Sequence, residues 1–260
     1  MDNIHEQLVA CCKQLRLSSS LADRAMTETG ESNQEYFLRV LQSEVKCRRE
    51  ARISKYSNMA GFPRRYKREQ FKTDEVEFPD GVTFDSLLNL DFYEDCRNVV
   101  MYGGTGTGKT MLSILIGLAA IEKDIPVKFY RTAALINNLS EAKASGTLSK
   151  LKKKLDVADI LILDEFGYVP YDRAGSQLLF DYLSEIHEVK PVILNTNLEF
   201  SQWVNVLYDP YMTTALIGRL THHVELILFP GGNNRLRESS INSAFSRMSM
   251  NTKETHYDNH

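Results

Sequence analysis

The sequence predicts an α/β fold, in which a parallel β-sheet is flanked by helices and follows a small helical domain. Hydrophobic residues make up 43% and charged residues 25% of the 260 positions, so the chain can bury a core and bulk disorder is excluded. From Phe84 to Phe229, short apolar runs alternate with longer segments of helical periodicity. This alternation is typical of a parallel sheet covered on both faces. The predicted strands are residues 99–102, 127–130, 160–163, 192–195 and 224–229, and the predicted helices are residues 111–123, 133–155, 174–187 and 211–220.

The N-terminal part of the chain is expected to be helical. Ser32 and Glu35 have the spacing of a capping box, in which two side chains satisfy free amides at the start of a helix. Apolar residues then recur at helical spacing until glycine and proline end the pattern near residue 61. We therefore expect a helical N-terminal domain over 1–65, an α/β domain over 66–240 and a flexible C-terminal tail over 241–260. The apolar residues of the repeat are Phe37, Leu38, Leu41 and Val45.

A glycine-rich segment follows the first predicted strand. Residues 103–110 read Gly-Gly-Thr-Gly-Thr-Gly-Lys-Thr and match the G-x-x-x-x-G-K-[ST] pattern of a phosphate-binding loop. Glycines let backbone N–H groups curve around a phosphate, and the following helix directs its positive N-terminus at the same anion. Lys109 is expected to reach the β- and γ-phosphates of ATP, and the Thr110 hydroxyl to bind Mg²⁺. The predicted nucleotide contacts are Gly103, Gly104, Thr105, Gly106, Thr107, Gly108, Lys109, Thr110 and Met111.

Two carboxylates end the third predicted strand. Asp164 and Glu165 directly follow the apolar residues 160–163, and the carboxyl ends of parallel strands form the ligand edge of an open α/β sheet. Asp164 is therefore predicted to hold Mg²⁺ together with Thr110, and Glu165 to act as the general base that activates water. Taken alone, the pair would be interpreted as an ordinary solvated strand end, but the glycine-rich loop favours the catalytic interpretation.

Other polar residues allow more than one interpretation. Asn197 follows the fourth predicted strand and could orient the attacking water, but Asn195 competes with it, and asparagine is also common in turns. A lone arginine such as Arg219, just before the last strand, is usually a surface residue. His222 and His223 have no plausible third ligand nearby in the sequence, so we expect packing or surface roles for them rather than a metal site.

A basic segment joins the two predicted domains. Residues 46–72 carry ten lysines and arginines against two glutamates, a local charge of +8 in a chain of net charge -3. Cations interleaved with aromatic residues suit a nucleic-acid backbone, and the alternative is a solvated helix face with a linker. The predicted DNA contacts are Lys46, Arg48, Arg49, Arg52, Lys55, Arg64, Arg65, Lys67 and Arg68. A second cluster, which suits either DNA contact or a helix C-terminus, consists of Lys150, Lys152, Lys153 and Lys154.

Cysteine usage and hydropathy indicate in which part of the cell the protein is expected. The four cysteines form no CxxC pair and no metal-ligand spacing, which favours a reducing, intracellular environment over a disulfide scaffold. The N-terminus has acidic residues where a signal peptide would have lysine and an apolar run. The most apolar stretch, residues 111–121, is far shorter than the ~20 residues that span a bilayer. A cytoplasmic protein without membrane association is expected.

The runs around these motifs resemble the IstB family of AAA+ ATPases, which are transposition helpers encoded beside the transposase in bacterial insertion sequences. The resemblance covers nearly the whole chain, and DnaC-type helicase loaders share the ATPase core and many of its motifs. The runs that carry it are Gln14-Leu-Arg-Leu-Ser18, Leu163-Asp-Glu-Phe-Gly-Tyr168, Thr196-Asn-Leu-Glu-Phe-Ser201, Arg219-Leu-Thr-His-His223, Phe229-Pro-Gly and Arg235-Leu-Arg-Glu-Ser-Ser240.

The resemblance implies a P-loop NTPase domain of AAA+ type and specific roles within it. Asn197 becomes the sensor residue, Arg219 the arginine finger that completes a neighbouring subunit's site, and Arg235 a late arginine that approaches the nucleotide. The implied activity is DNA-stimulated hydrolysis of ATP to ADP and phosphate by a homo-oligomer, a ring or filament, on duplex DNA. The implied partner is a DDE-type transposase encoded by the same element, and the implied location is the bacterial cytoplasm, at the nucleoid when DNA is bound. A full helical lid domain is not expected, because too few residues follow Phe229.

Two alternative functions remain open at this point. A DnaC-like loader of a replicative helicase would use its N-terminal domain to bind the helicase rather than DNA and a transposase. A metabolic P-loop kinase would need an acceptor pocket or a lid, and the Asp164-Glu165 pair fits water activation better than phosphate transfer to a small molecule.

Overall fold

The computed structural model describes residues 2–232. The predicted tail over 241–260 lies outside the described residues. Contacts within the chain define two units, Met1–Asn58 and Met59–His260, and each is described separately below.

The division between the units falls before the boundary that the sequence suggested at residue 65. The reason is local: the residues just after Asn58 contact the α/β unit. The Lys128 ammonium donates a hydrogen bond to the Met59 carbonyl at 2.6 Å. The Phe62 ring packs edge-on against the Phe129 ring, with 6.1 Å between their centroids.

The first unit contains α1 (Asp2–Gln14), α2 (Ser20–Thr27) and all but the last two residues of α3 (Asn33–Ala60). The Ser32 hydroxyl accepts a hydrogen bond from the Glu35 amide at 3.2 Å near the start of α3, as the capping pattern predicts. The buried apolar core is small. It consists of Cys12, Leu21, Ala22 and Val40.

The face of α3 that is buried differs from the apolar repeat seen in the sequence. Val40 and Glu44, four residues apart, are buried and therefore lie on the same side of the helix. The four apolar residues of the repeat are all exposed. They are Phe37, Leu38, Leu41 and Val45.

The buried Glu44 carboxylate is the polar centre of the first unit. It accepts hydrogen bonds from the Ser18 amide at 2.9 Å and the Ser18 hydroxyl, and it pairs with Arg24 at 3.0 Å and Arg48 at 2.8 Å. Burial alone would raise the pKa of this carboxyl. The hydrogen bonds from Ser18 and the ion pair with Arg48 outweigh burial and lower the pKa from 4.5 to about 2.

The second unit is built on a five-stranded parallel sheet in the order β2-β3-β4-β1-β5. The three central strands are apolar runs buried along nearly their whole length, as expected for a sheet covered on both faces. All five strands fall where the sequence predicts them. They are β1 (Asn98–Gly103), β2 (Val127–Arg131), β3 (Ile160–Phe166), β4 (Val192–Thr196) and β5 (Val224–Phe229).

Helices connect these strands and cover the sheet. The segment predicted as one helix over 133–155 is two helices, because Gly146 adopts a left-handed conformation (φ +69°) that ends the first of them. A short helix before β1 begins at Thr83, whose hydroxyl accepts from the Ser86 amide at 3.0 Å. The helices are α4 (Phe84–Asn89), α5 (Lys109–Glu122), α6 (Thr132–Ala144), α7 (Leu148–Leu155), α8 (Arg173–Glu185), α9 (Val204–Leu207) and α10 (Pro210–Thr221).

The core of the second unit lies between the sheet and the helices α6 to α10. The single tryptophan, Trp203, is fully buried there and packs against Phe166 at the end of β3, with ring centroids 4.3 Å apart. α5 contacts β1 to β4. Among the described residues, no helix is both long enough and apolar enough to cross a membrane.

Candidate active site

The glycine-rich loop connects β1 to α5 at the carboxyl edge of the sheet, as predicted. Gly103 is the last residue of β1, and a Cβ there would lie 2.4 Å from the Phe229 carbonyl oxygen on the neighbouring strand β5. Gly108, immediately before α5, has φ +109°, a conformation that L side chains rarely adopt. Sheet packing and loop curvature therefore each require glycine, in addition to any ligand.

The Lys109 ammonium lies within the curve of this loop. It donates hydrogen bonds to the carbonyls of Gly103 and Gly104, both at 2.6 Å. The Thr107 hydroxyl also donates to the Gly104 carbonyl, at 2.9 Å. A lysine charge beside the N-terminus of a 14-residue helix makes the loop a favourable place for a phosphate group.

Thr110 and Asp164 are brought together, as the sequence predicts. The Thr110 hydroxyl lies 3.0 and 3.1 Å from the two carboxylate oxygens of Asp164. β3 carries Asp164 to the same edge of the sheet as the start of α5, and the side chain is buried. A hydroxyl and a carboxylate are hard oxygen donors, which Mg²⁺ prefers.

Asn195, on β4, joins this cluster. Its amide nitrogen donates to Asp164 Oδ1 at 2.8 Å and to the Ser113 hydroxyl at 2.9 Å. Ser113 in turn donates to the Thr110 carbonyl at 3.1 Å. Asn195 is 1% exposed, and its Oδ1 has no hydrogen-bond partner among the described residues. A carboxylate only accepts, so the amide nitrogen has to face Asp164 and the amide oxygen is left over.

The sequence left Asn195 and Asn197 as competitors, and the structure separates them. Asn195 contacts Asp164, whereas Asn197 is exposed just beyond the end of β4. A polar residue inside an otherwise apolar strand was the available indication of a buried role for Asn195. Asn197 lies at the carboxyl edge of the sheet, where a side chain can face a bound nucleotide.

Asp164 and Glu165 lie in a bulge at the end of β3. Between Leu163 and Phe166 the strand has one residue more than β4 has opposite it, and Glu165 adopts φ +57°. Its side chain is 46% exposed, and its Oε2 lies 3.5 Å from Nε of Arg131 at the end of β2. The two consecutive carboxylates therefore lie in different environments: Asp164 is buried, and Glu165 is at the surface of the site. Arg131 lies in no motif that would have indicated its position beside Glu165.

The structure does not bring Arg219 to the glycine-rich loop of its own chain. Its guanidinium stacks on the Phe180 ring of α8, with 5.0 Å from Cζ to the ring centroid. Nη1 is buried and has no hydrogen-bond partner among the described residues. Arg235 lies outside the described residues.

The predicted DNA contacts divide between the two units. In the first unit, the Arg48 guanidinium pairs with Glu44 and donates to the Arg16 carbonyl at 2.6 Å, so Arg48 has a structural role. In the second unit, Arg68 pairs with Asp85 and lies over the Phe84 ring. The other predicted contacts are exposed: Lys46, Arg49, Arg52, Lys55, Arg64, Arg65 and Lys67.

This strand order, with a glycine-rich loop after β1 and an acidic residue at the end of β3 beside it, defines a P-loop NTPase domain of the AAA+ type. The family described as IstB-like ATP binding protein matches residues 10–242. The chain belongs to that family, as its sequence runs suggested.

Individual relatives extend over most of the chain. A protein of the insertion sequence IS232 from Bacillus thuringiensis subsp. berliner, named for ATP binding, is 29% identical over 92% of this chain and 97% of its own length. Its counterpart from IS21 of Pseudomonas aeruginosa is 32% identical over 78% of this chain and 77% of its own length.

Solved structures with a similar fold are more distant in sequence. The DnaC helicase loader is 20% identical, with a TM-score of 0.47 over 52% of this chain and 80% of that chain. AMPPCP-bound DnaA from Aquifex aeolicus is 18% identical, with a TM-score of 0.49 over 60% of this chain and 50% of that chain.

Proposed function

We propose that this protein binds ATP with Mg²⁺, hydrolyses it to ADP and phosphate, and acts as a DNA-binding transposition helper. In this proposal it assembles on duplex DNA and recruits or stimulates a DDE-type transposase encoded by the same insertion sequence. The observation that carries the nucleotide part is the cluster of Lys109, Thr110, Asp164 and Asn195 at the carboxyl edge of the sheet. Membership of a family described by ATP binding, and relatives named for insertion sequences, support it.

The residues of the cluster fit a hydrated Mg²⁺ ion. Thr110 and Asp164 supply a hydroxyl and a carboxylate, and the unpartnered Asn195 oxygen supplies a further acceptor for a water ligand. When bound, the ion neutralises negative charge on the phosphate oxygens. Lys109 and the N-terminus of α5 would contact the phosphates.

Glu165 is the residue proposed to activate water. Its carboxylate is at the surface of the site, within reach of solvent, whereas the adjacent Asp164 is buried beside Thr110. Arg131 lies 3.5 Å away and restricts the orientation of the Glu165 carboxylate. Asn197, at the end of β4, is proposed to orient the same water against the γ-phosphate.

We propose that subunits of this protein assemble with one another because the Arg219 side chain does not face the nucleotide site of its own chain. A partly buried guanidinium, held on Phe180 with one nitrogen unpartnered, can complete the site of an adjacent subunit by stabilising charge on the γ-phosphate. ATP would then favour contact between subunits. Arg235 is proposed as a further nucleotide contact on the basis of the family resemblance alone.

A pair of glutamate substitutions tests the enzymatic part. Glu165→Gln should keep nucleotide affinity but lower phosphate release by at least about 10²-fold, the lower end of what a general base contributes. Glu185→Gln is the matched control, since Glu185 is exposed and pairs with Lys152 on α7. Lys109→Ala should instead weaken binding of a fluorescent ATP analogue. Wild-type phosphate release by Glu165→Gln would overturn the role of Glu165, and unchanged nucleotide affinity of Lys109→Ala would overturn the site.

A further inference from the structure

Two turns meet at the amino edge of the sheet, opposite the nucleotide site. His187 and Glu188 follow α8 and lead towards β4, while His222 and His223 follow α10 and lead into β5. The ligand atoms of Glu188, His222 and His223 all lie within 4.8 Å of one another, and all three side chains are exposed. No third ligand for the two histidines could be predicted from the sequence, because Glu188 is more than thirty residues away along the chain.

The separation between Glu188 and His222 is that of two ligands of one ion rather than that of a hydrogen bond. Glu188 Oε1 lies 3.4 Å from His222 Nδ1 and 3.7 Å from His187 Nε2. Good hydrogen bonds between nitrogen and oxygen are about 2.9 Å long. Two ligands of a tetrahedral ion bound at about 2.0–2.1 Å are about 3.3–3.4 Å apart, close to the value for Glu188 and His222.

The backbone at the turn also has an unusual conformation. Glu188 has φ +58°, in the left-handed region that residues other than glycine seldom adopt. The second turn is fixed by its backbone, because the His223 carbonyl accepts a hydrogen bond from the Asn98 amide at 2.8 Å. The His222 and His223 rings are nearly perpendicular, with centroids 4.2 Å apart, so neighbouring residues can present both rings to one point.

We propose that Glu188, His222 and His223 bind a divalent transition-metal ion of the zinc class, with His187 or water in the fourth position. Two imidazole nitrogens and a carboxylate oxygen are a donor set that suits Zn²⁺ and Co²⁺. The same set does not suit Mg²⁺, which takes oxygen ligands. The site is therefore chemically distinct from the one at Thr110 and Asp164, and it does not depend on the proposed ATPase function.

The ion would link the ends of α8 and α10. These two helices also carry Phe180 and Arg219, whose side chains stack on each other. Arg219 lies one turn before His222 on α10. Metal binding would thus brace the helix pair that presents Arg219, and so restrict the motion of its guanidinium.

Metal titration of the untagged, full-length, reduced chain without nucleotide tests the proposal. We expect saturable binding of one Zn²⁺ per chain at this site, and a Co²⁺ absorption spectrum typical of tetrahedral nitrogen and oxygen ligands without a thiolate band. The double variant His222→Ala/His223→Ala should lose saturable zinc binding, because it removes two of the proposed ligands, and Glu188→Gln should weaken it. The matched control is His256→Ala/His260→Ala, which removes two histidines outside the described residues and should bind as the wild type does.

Thermal unfolding provides a second readout. Zinc at about 100 times its dissociation constant should raise the Tm of the wild type by about 5–10 °C, because it binds the folded chain alone. The double variant should show no such shift, and its circular dichroism in zinc-free buffer should match that of the wild type. Zinc affinity that the double substitution leaves unchanged would overturn the proposal, as would the lack of saturable binding by the wild type.

Discussion

At the scale of single residues, Asn195 connects the parts of the nucleotide site that come from different elements. One amide nitrogen contacts Asp164 from β3 and Ser113 from α5, while Ser113 contacts the backbone of Thr110. Partners of this kind, one step removed from the ion, fix the orientation of the ligand and are nearly as sensitive to substitution as the ligand itself. Asn195 is therefore a positioning residue for Asp164.

Substitution of Asn195 should change the metal dependence of nucleotide binding. We expect Asn195→Ala to weaken the Mg²⁺-dependent part of ATP affinity by about 10–100-fold, because Asp164 loses the donor that orients it. Affinity in EDTA should stay at the wild-type value, since Lys109 and the loop are untouched. Fluorescent-nucleotide titrations at several Mg²⁺ concentrations measure both quantities.

Asn197→Ala is the matched comparison for this experiment. Asn197 lies at the same strand end but is exposed, so its loss should reduce turnover and leave the Mg²⁺ dependence of binding unchanged. An Asn195→Ala protein with wild-type Mg²⁺ dependence would contradict the positioning role. If Asn197→Ala changed the Mg²⁺ dependence instead, the roles of the two asparagines would be reversed.

At the scale of elements, the fold of the first unit depends on a charge buried on α3. Because hydrogen bonds and ion pairs lower the pKa of Glu44 to about 2, this carboxylate stabilises the folded unit fully above its ordinary pKa of 4.5. The stabilisation is lost as pH falls from 4.5 towards 2, and its full magnitude is about 3 kcal/mol.

Glu44→Gln should therefore remove the pH dependence together with the stability. At pH 7 the variant should lose most of this stabilisation, because Arg24 and Arg48 keep their charges but lose the carboxylate with which they pair. Between pH 4.5 and 2 its stability should vary less than that of the wild type. Hydrogen exchange of the α1 to α3 amides measures this in the whole chain, and equal slopes for both proteins would refute the assignment.

The proposed role of the basic segment in DNA binding can be tested by comparing exposed arginines with Arg48, which has a structural role. Arg64 and Arg65 are exposed and outside α3, so reversal of both to glutamate should weaken duplex binding without lowering the Tm. If both contact phosphates, the slope of log affinity against log salt should fall by about 1.8. Arg48→Glu is the contrasting variant, since it should destabilise the first unit through Glu44. Unchanged binding by the Arg64/Arg65 variant would place the DNA surface elsewhere, with Lys150, Lys152, Lys153 and Lys154 the next candidates.

At the scale of the whole molecule, the local sequence pattern was sufficient to predict the strands of the sheet, but it did not predict the contacts between residues that are distant along the chain. Five apolar runs predicted five strands, and the loop motif correctly placed Lys109 and Thr110 just after β1, where they begin α5. The bulge at Asp164 and Glu165 could not be foreseen, because it depends on the register with β4. The same holds for Arg131, Ser113 and Glu188, which become neighbours of the sites only through strand order and helix packing.

Arg219 is the residue whose proposed role requires more than one chain. It stacks on the Phe180 ring, and the family resemblance implies that it is an arginine finger. Fingers of this kind increase hydrolysis by about 10³–10⁵-fold. If Arg219 acts in trans, each active site contains the loop of one subunit and the arginine of the next.

Mixing two inactive variants tests this arrangement. Arg219→Ala and Lys109→Ala should each lack ATPase activity alone, the first through loss of charge stabilisation and the second through loss of phosphate binding. Mixed on duplex DNA, some interfaces pair an intact Lys109 with an intact Arg219, so phosphate release should return to a fraction of the wild-type rate. The recovered rate should depend on the mixing ratio and peak near equal amounts, because only mixed interfaces are competent.

Electron microscopy of each variant on DNA is the control for assembly. A mixture as inactive as its components, while both still assemble, would show that Arg219 does not act in trans and would direct attention to Arg173 or Arg235.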